Sequence, residues 1–261
     1  MPILEKFKDF DTHVKDKWFE SYLRDMVRWG VFNGFEDNTI RPDEAVTRAQ
    51  LAAVFHRMIM SQPAVVMAQE AMKNVVYITD GSIVGSGFWL PGWKVVTNHH
   101  VAFTHPTGDP RSRLYVYGFP GVGFSKTEAM TAVVDVHDAS NDLAVLQVTK
   151  PPYMDMQPSA IMDFADVEQG QQVWALGNPF GYPFDICSGI VRSKERKVHV
   201  WAGWQDVYAL DVPINPGNSG GLAIDAQGRC VGVPNAGSFG YNAYTYMIPT
   251  AKLLDLINPK K

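Results

Sequence analysis

From about residue 74 onward the chain consists of short runs rich in β-branched and aromatic residues, separated by Gly, Pro, Asn and Asp. In order these runs are NVVYITDG, SGFWL, KVVTNHHV, RLYVYGF, TAVVDVH, LAVLQV, QQVWALG, GIVRSK, DVYALDV, GLAID and CVGVPN. Short strands with turn residues at regular spacing are typical of all-β barrels and sandwiches. The closing TAKLLDLI has helical spacing and predicts one short terminal helix.

The first 61 residues have a different pattern, which predicts a small helical domain. In DKWFESYLRDMVRWGVF, apolar residues from Trp18 to Trp29 recur at helical spacing, and we expect them to form a core. Gly30 follows as a candidate C-terminal cap, and Thr47 is placed to cap a second helix, RAQLAAVFHRMIM. The predicted domains are therefore residues 1–61, a linker over 62–73, and a β domain over 74–261.

Composition excludes several classes of function. The 261 residues carry a net charge of −4 with no basic run, which argues against a nucleic-acid partner. No apolar run approaches the roughly 20 residues of a membrane-spanning helix. The two cysteines, Cys187 and Cys230, form no CxxC motif, so no metal site is expected. They could pair as a disulfide, but free thiols are favoured in a chain without a visible export signal.

A serine flanked by glycines, in INPGNSGGLAI at residues 214–224, is the strongest candidate for chemistry. Alone this stretch could be a glycine-rich turn. Ser219 becomes a nucleophile only with a base to take its proton, an acid to orient that base, and amide donors for the oxyanion. Gly217 can adopt a backbone conformation closed to other residues, which would let the amides of Gly217 and Ser219 converge.

Two further segments supply a base and an acid. His100 lies just beyond the predicted strand Val95–Thr97, and Asp142 stands immediately before the apolar strand LAVLQV. Both therefore lie where a strand meets a loop, which is where barrel scaffolds place functional groups. The order His, Asp, Ser along the chain is that of the chymotrypsin-type triad.

At this point TNHHV, DLAVLQV, ALGNPFG, SGIV and INPGNSGG, in that order, resemble the trypsin-like serine proteases of the HtrA family. The resemblance covers about residues 72–257 and implies two six-stranded β-barrels with the active site between them. The family pattern places the catalytic histidine directly before a valine, here Val101, which selects His100 over His99. The resemblance then implies that His100 is the general base, Asp142 the orienting acid and Ser219 the nucleophile, in a serine endopeptidase that needs no cofactor or metal.

The same resemblance implies the other parts of the site. The oxyanion hole is assigned to Gly217, Asn218 and Ser219. The substrate pocket is assigned to a floor and a wall, formed by Val212, Pro213, Asn235, Ala236 and Gly237. Because no acidic residue stands at the floor, we expect a small or medium apolar side chain before the scissile bond, although Asp211 is close enough to complicate this. HtrA proteases usually continue into PDZ domains, and this chain is expected to lack one.

The N-terminal segment resembles a single S-layer homology motif, in Trp18, GVFNGFEDNTIRP and VTRAQ, with Gln50 where the motif usually has Glu. Such motifs usually occur as three copies that bind an anionic cell-wall polymer, for which Arg48 is the contact candidate. For Arg48 itself, a structural hydrogen bond or salt bridge within the protein is favoured over polymer contact. Three chains could supply three copies, which would fit the trimeric habit of HtrA proteases.

The sequence leaves two alternatives, one for the location of the protein and one for its function. With no signal peptide visible, a cytoplasmic location is expected, and the S-layer homology motif makes the cell envelope or the exterior the alternative. The alternative function is a catalytically silent scaffold that keeps a protease-like barrel for binding. If the protein is an active endopeptidase, polypeptide substrates are its expected partners.

Overall fold

The computed structural model describes residues 4–60, 63–120, 128–150, 160–161, 163–200, 203–237 and 244–259. The chain divides into two compact units, Met1–Met67 and Ala68–Lys261. The division falls inside the segment 62–73 that was predicted to be a linker. Most of that segment is helical, because α3 runs over Pro63–Met72.

The first unit is small and helical. It contains a short π-helix, Phe10–Val14, and the α-helices α1 (Glu20–Arg28) and α2 (Arg48–Met60). Its core is formed by residues from the start of the chain, from α1 and from the segment after α1: Leu4, Phe7, Phe10, Val14, Val27 and Ile40. The prediction that the apolar stripe forms the core is wrong for Trp18, which precedes α1 and is 82% exposed, and for Tyr22, which is 65% exposed. Leu23 of the same stripe packs against the core, and Met26 and Trp29 are half-buried.

Both helix ends predicted in this unit are present. Gly30 has φ +70° and its amide donates to Val27 O just past α1, so glycine occupies the left-handed position that ends the helix. At the start of α2 the Thr47 hydroxyl accepts from the Gln50 amide at 3.2 Å. The Gln50 side chain accepts from the Thr47 amide at 2.8 Å, which completes a capping box.

The second unit consists of two closed six-stranded antiparallel barrels. The first barrel contains β1 (Val75–Thr79), β2 (Val84–Leu90), β3 (Lys94–Thr97), β4 (Leu114–Gly118), β5 (Met130–Asp138) and β6 (Leu143–Val148), in the order β1-β2-β3-β6-β5-β4. The second contains β7 (Gln172–Gly177), β8 (Asp185–Val200), β9 (Gly203–Leu210), β10 (Leu222–Ile224), β11 (Cys230–Gly237) and β12 (Thr245–Pro249), in the order β10-β11-β12-β9-β8-β7. Closure pairs β1 with β4 and β10 with β7, so neither barrel has an unpaired edge.

Each barrel encloses its own apolar core, which accounts for the β-branched runs in the sequence. Trp89, Val95 and Leu146 are fully buried in the first core. Val191 and Leu210 are fully buried in the second. Alternate side chains of β4 are buried, as a strand with one face toward a core requires.

The prediction of an all-β fold with two six-stranded barrels and a small helical N-terminal domain is confirmed. Each of the eleven predicted runs contains a strand, and the predicted terminal helix is α5 (Thr250–Ile257). The twelfth strand, β12, was not among the predicted runs. No helix among the described residues is both long enough and apolar enough to cross a bilayer.

Both cysteines are free thiols. Burial raises the pKa of the Cys187 thiol to about 11 and that of the Cys230 thiol to about 12, so neither is a reactive thiolate at neutral pH.

Candidate active site

His100 is held by a short helix at the end of β3. The chain leaves β3 at Thr97 and forms α4 (His99–Ala102) directly afterwards. The backbone oxygen of Asp142 ties down the start of this helix, because it accepts from the His99 amide at 3.1 Å and from Asn98 Nδ2 at 2.8 Å. The position of α4 is therefore set by the segment that carries the predicted acid.

Asp142 binds His100 through both carboxylate oxygens. Oδ1 accepts from the His100 backbone amide at 2.8 Å, and Oδ2 lies 2.7 Å from His100 Nδ1. Asp142 is fully buried, and its φ of +52° is a conformation that aspartate tolerates better than most residues. Because a carboxylate only accepts, Nδ1 carries the proton and Nε2 of a neutral imidazole is left with its lone pair.

Ser219 lies in the loop between β9 and β10, and this loop packs against the start of α4. The Ser219 backbone oxygen accepts from the Ser86 amide on β2 at 2.9 Å. Its neighbour Gly220 lies so close that an added Cβ would be 2.4 Å from Thr97 Oγ1 and 2.8 Å from the Asn98 nitrogen. The backbone next to Ser219 is therefore in contact with the residues that lead into His100.

The hydroxyl of Ser219 has a specific partner in this structure. Oγ donates to the backbone oxygen of Asn235 on β11 at 2.9 Å. A hydroxyl has a single proton, so donation to His100 Nε2 requires that this proton turn away from Asn235 O. The structure thus joins His100 to Asp142 by a direct hydrogen bond, and it brings the Ser219 loop beside them with the hydroxyl donating to β11.

Two amides of this loop are available for an oxyanion. Gly217 has φ +103°, and a Cβ there would lie 2.3 Å from Asn178 O, so the position requires glycine. Within the described part of the chain, the amides of Gly217 and Ser219 donate to no other group. The assignment of Asn218 to the oxyanion hole is corrected, because its amide donates to Asn215 O at 3.0 Å in a turn and its side chain is buried.

The predicted pocket floor carries no charge. Val212 is buried and its backbone oxygen accepts from Thr245 Oγ1 at 2.5 Å, while Pro213 is exposed. The Asp211 carboxylate is occupied elsewhere, since Oδ1 accepts from the Ile190 amide on β8 at 2.6 Å.

The predicted pocket wall lies on β11. Asn235 is buried, and its Nδ2 donates to Gln205 Oε1 at 3.0 Å. Gly237 leaves space, because the nearest atoms to a Cβ built there are Tyr244 O at 3.6 Å and Ile214 O at 3.9 Å. Ala236 pairs with Tyr246 on β12, while its side chain and residues 238–242 of the wall lie outside the described residues.

His99 has surroundings quite different from those of His100. Its ring is buried and stacked on Phe103, with centroids 3.9 Å apart. Burial, helped by the nearby His137, lowers the pKa of His99, so it stays neutral at pH 7. Among the described residues no three His, Cys, Asp or Glu side chains lie close enough together to hold a metal ion.

Two residues that hold the site, Ser86 and Asn98, were not predicted. Ser86 donates through its amide to the Ser219 backbone oxygen, and Asn98 donates through Nδ2 to the Asp142 backbone oxygen. Asn235 was predicted only as part of the pocket wall, and its backbone oxygen accepts from the Ser219 hydroxyl. The segments of Ser86 and Asn98 had been interpreted as a strand and a strand end, and their polar side chains gave the only available signal.

Two known domain families match the chain. Residues 81–233 match the trypsin-like peptidase domain, and residues 6–52 match the S-layer homology domain. The first match covers more than half of the chain and includes the segments of His100, Asp142 and Ser219.

Similar proteins of known sequence are proteases. The chain is 32% identical over 187 residues to Protease Do-like 1, chloroplastic, of Arabidopsis thaliana, with 64% of this chain and 40% of that protein covered. It is 30% identical over 176 residues to a probable periplasmic serine endoprotease DegP-like of Chlamydia pneumoniae, with 65% and 32% covered. The chain therefore spans less than half the length of these relatives.

Similar solved structures have the same fold. Deg5 is 28% identical with a TM-score of 0.57, over 74% of this chain and 91% of that one. The HtrA-type protease AlgW with tripeptide has a TM-score of 0.61 at 24% identity, over 74% and 62%. Family match, relatives and fold agree: the chain belongs to the trypsin-like peptidase domain family, is related to HtrA and DegP-type proteases, and carries an S-layer homology domain before the peptidase domain.

Proposed function

We propose that this chain is a serine endopeptidase that cleaves peptide bonds through His100, Asp142 and Ser219. The observation that carries the proposal is the pair of bonds from His100 to Asp142 beside the Ser219 loop. They hold the imidazole in the tautomer and orientation that a general base requires.

The reaction is an acyl transfer in two halves. The Ser219 hydroxyl proton turns from Asn235 O toward His100 Nε2. Nε2 takes this proton as Ser219 Oγ attacks the substrate carbonyl. The amides of Gly217 and Ser219 bind the oxyanion. His100 then passes the proton to the departing amine, and water repeats the sequence on the acyl-enzyme.

We further propose a preference for a small or medium apolar residue before the scissile bond. The uncharged floor at Val212 and Pro213 supports this, because a basic side chain that reached the floor would meet no compensating charge there, and burying it would be costly. The nearby Asp211 carboxylate accepts from the Ile190 amide through Oδ1.

Digestion of unfolded casein, followed by mass spectrometry of the products, tests activity and preference together. We expect cleavage after residues such as Val, Ala or Leu, with none by Ser219→Ala. Cleavage mainly after Lys or Arg would contradict the pocket assignment. A folded wild-type protein that cleaves nothing would favour the silent-scaffold alternative.

We also propose that the S-layer homology domain binds an anionic cell-wall polymer at the cell surface, through residues that include Arg48. Arg48 is exposed at the start of α2, where the helix dipole adds to its positive charge. Co-sedimentation with purified cell walls should fall for Arg48→Ala and persist for Lys17→Ala, an exposed cation of the same unit. Equal binding by both variants would remove Arg48 from the contact.

A trimer is proposed on the same resemblance, because S-layer homology motifs usually act in threes. The exposed aromatic side chains Trp18 and Phe55 in this unit are consistent with burial against another chain. Light scattering should report three chains per particle. A monomer at micromolar concentration would contradict the proposal.

A further inference from the structure

One residue of the first barrel, Ser86, donates hydrogen bonds to the loop of the second barrel that carries Ser219. Ser86 lies on β2 of the first barrel and is fully buried. Ser219 lies between β9 and β10 of the second barrel. A residue that links the two can fix the candidate nucleophile relative to His100, which also comes from the first barrel.

Ser86 uses every polar group it has. Its hydroxyl donates to Gly217 O at 2.7 Å, and its amide donates to Ser219 O at 2.9 Å. The same hydroxyl accepts from the amide and from Nδ2 of Asn178, both at 2.9 Å. Its backbone oxygen accepts from Thr97 Oγ1 at 2.7 Å. A buried polar group satisfied in this way has one stable arrangement.

These bonds set the direction of the loop amides. Four consecutive carbonyl groups of the loop, at residues 216–219, each accept a hydrogen bond, from the Phe180 amide, Ser86 Oγ, the Gly221 amide and the Ser86 amide in turn. In a trans peptide the N–H points opposite to the C=O. Each tethered carbonyl therefore fixes the amide of the next residue. The Pro216 and Asn218 carbonyls fix the Gly217 and Ser219 amides, and the Gly217 carbonyl held by Ser86 Oγ fixes the peptide that lies between these two.

We propose that Ser86 is a positioning residue: its hydroxyl holds the Gly217–Asn218 peptide, which joins the two peptides that carry the Gly217 and Ser219 amides, and thereby keeps these amides in oxyanion-binding geometry relative to each other. This inference rests on the proposed peptidase function. Ser86 touches no substrate and acts through the loop. Without the hydroxyl, the Gly217 carbonyl has no donor at a buried site, and rotation of the adjoining peptides relieves that loss.

Ser86→Ala removes the hydroxyl and Ser86→Cys keeps its shape with a weak donor. Thr250→Val is the matched control, because it also removes a buried hydroxyl that donates to a carbonyl, Cys230 O, and touches none of residues 216–220. For each variant, titration with a fluorophosphonate gives the concentration of reactive serine. Hydrolysis of a peptide substrate then gives kcat per reactive site and KM.

Loss of one oxyanion donor typically costs about 100- to 1,000-fold in kcat, and partial misplacement should cost less. We expect kcat per reactive site to fall by about 10- to 100-fold in Ser86→Ala, with KM changed by no more than about threefold. Ser86→Cys should recover part of kcat. Thr250→Val should lose thermal stability but keep its kcat per reactive site.

Values of kcat per reactive site within about threefold of wild type, in Ser86→Ala and Ser86→Cys alike, would overturn the inference. If Ser86→Ala does not fold, Ser86→Cys decides alone: reduced kcat at unchanged KM supports the inference, and unchanged kcat overturns it. A wild-type protein that neither labels nor hydrolyses would instead overturn the proposed function.

Discussion

Substitution of Asp142 by Asn tests how the acid supports His100. Asp142 accepts two hydrogen bonds from His100, one from the backbone amide and one from Nδ1. An asparagine has one acceptor oxygen and one NH₂ group in the same place. The backbone amide can only donate, so it takes the oxygen, and the NH₂ group then faces Nδ1.

The consequence is the wrong tautomer of His100. Nδ1 must accept from the NH₂ group, so the ring proton moves to Nε2, which can no longer take a proton from Ser219. Such a change lowers kcat by about 10⁴-fold, or about 5 kcal/mol in the barrier. The fold should tolerate it, because asparagine also accepts the φ of +52° at this position.

The assay is kcat on a peptide substrate, normalised to folded protein. Asp225→Asn is the control, since Asp225 is another fully buried carboxylate, and its bonds go to Arg229 and to the Gln227 amide in the turn after β10. We expect Asp225→Asn to lower stability and leave kcat intact. A loss of less than about tenfold in Asp142→Asn would refute the tautomer argument.

Three further predictions concern the Ser219 loop, the partly buried ion pair of Asp80 with Arg111, and the cap of α2. Gly217→Ala should lower kcat by at least about 100-fold, because the added Cβ would lie 2.3 Å from Asn178 O. Gly81→Ala is the control: it has φ +94° and open space around it, and it should keep kcat. Equal kcat values for the two variants would contradict this prediction. Burial acts to raise the pKa of Asp80, but hydrogen bonds in its loop and from Arg111 lower this pKa overall. The carboxylate therefore stabilises the fold above about pH 4, and this stabilisation is lost as the pH falls through the lowered pKa. Asp80→Asn should therefore lower the free energy of unfolding by about 1–3 kcal/mol at pH 7 and by progressively less in acid, and a deficit that does not change with pH would be evidence against the pair. Thr47→Ala should cost about 1 kcal/mol by breaking the capping box, seen as a fall in the melting temperature of the first unit, whereas an unchanged melting temperature would mean that the cap contributes nothing.

The strands of the barrels could be predicted from the sequence because strand and turn patterns depend on residues close together along the chain. Short β-branched runs such as LAVLQV favour strands, and turn residues mark their ends. The strand β12 was missed since Thr245–Pro249 continues directly into α5, without a turn residue pattern of its own on that side. Closure of each barrel, through β1 with β4 and β10 with β7, joins segments remote in sequence.

The helical unit shows the opposite case. Helical spacing identified α1 but placed its apolar stripe in a core, whereas Trp18 and Tyr22 are exposed. Periodicity reports which residues share a face and carries no information on what that face meets. Here Leu4 and Phe7, from a segment with no clear period, fill the core instead.

The candidate site divides in the same way. His100 and Asp142 were predictable from motif and order along the chain, and their direct bond agrees with the roles proposed for them. The bond from Ser219 to Asn235 O depends on how the Ser219 loop packs on β11 within the second barrel, and the bonds of Ser86 depend on how the two barrels meet. No local pattern in the sequence encodes either arrangement.

The central claim is that Ser219 is a nucleophile activated by His100. Reaction with a fluorophosphonate, followed by peptide mapping of the modified protein, tests it most directly. The account predicts a single adduct on Ser219, absent in Ser219→Ala and formed far more slowly in His100→Ala. An adduct elsewhere, or labelling of Ser219 at the same rate with and without the imidazole, would contradict it.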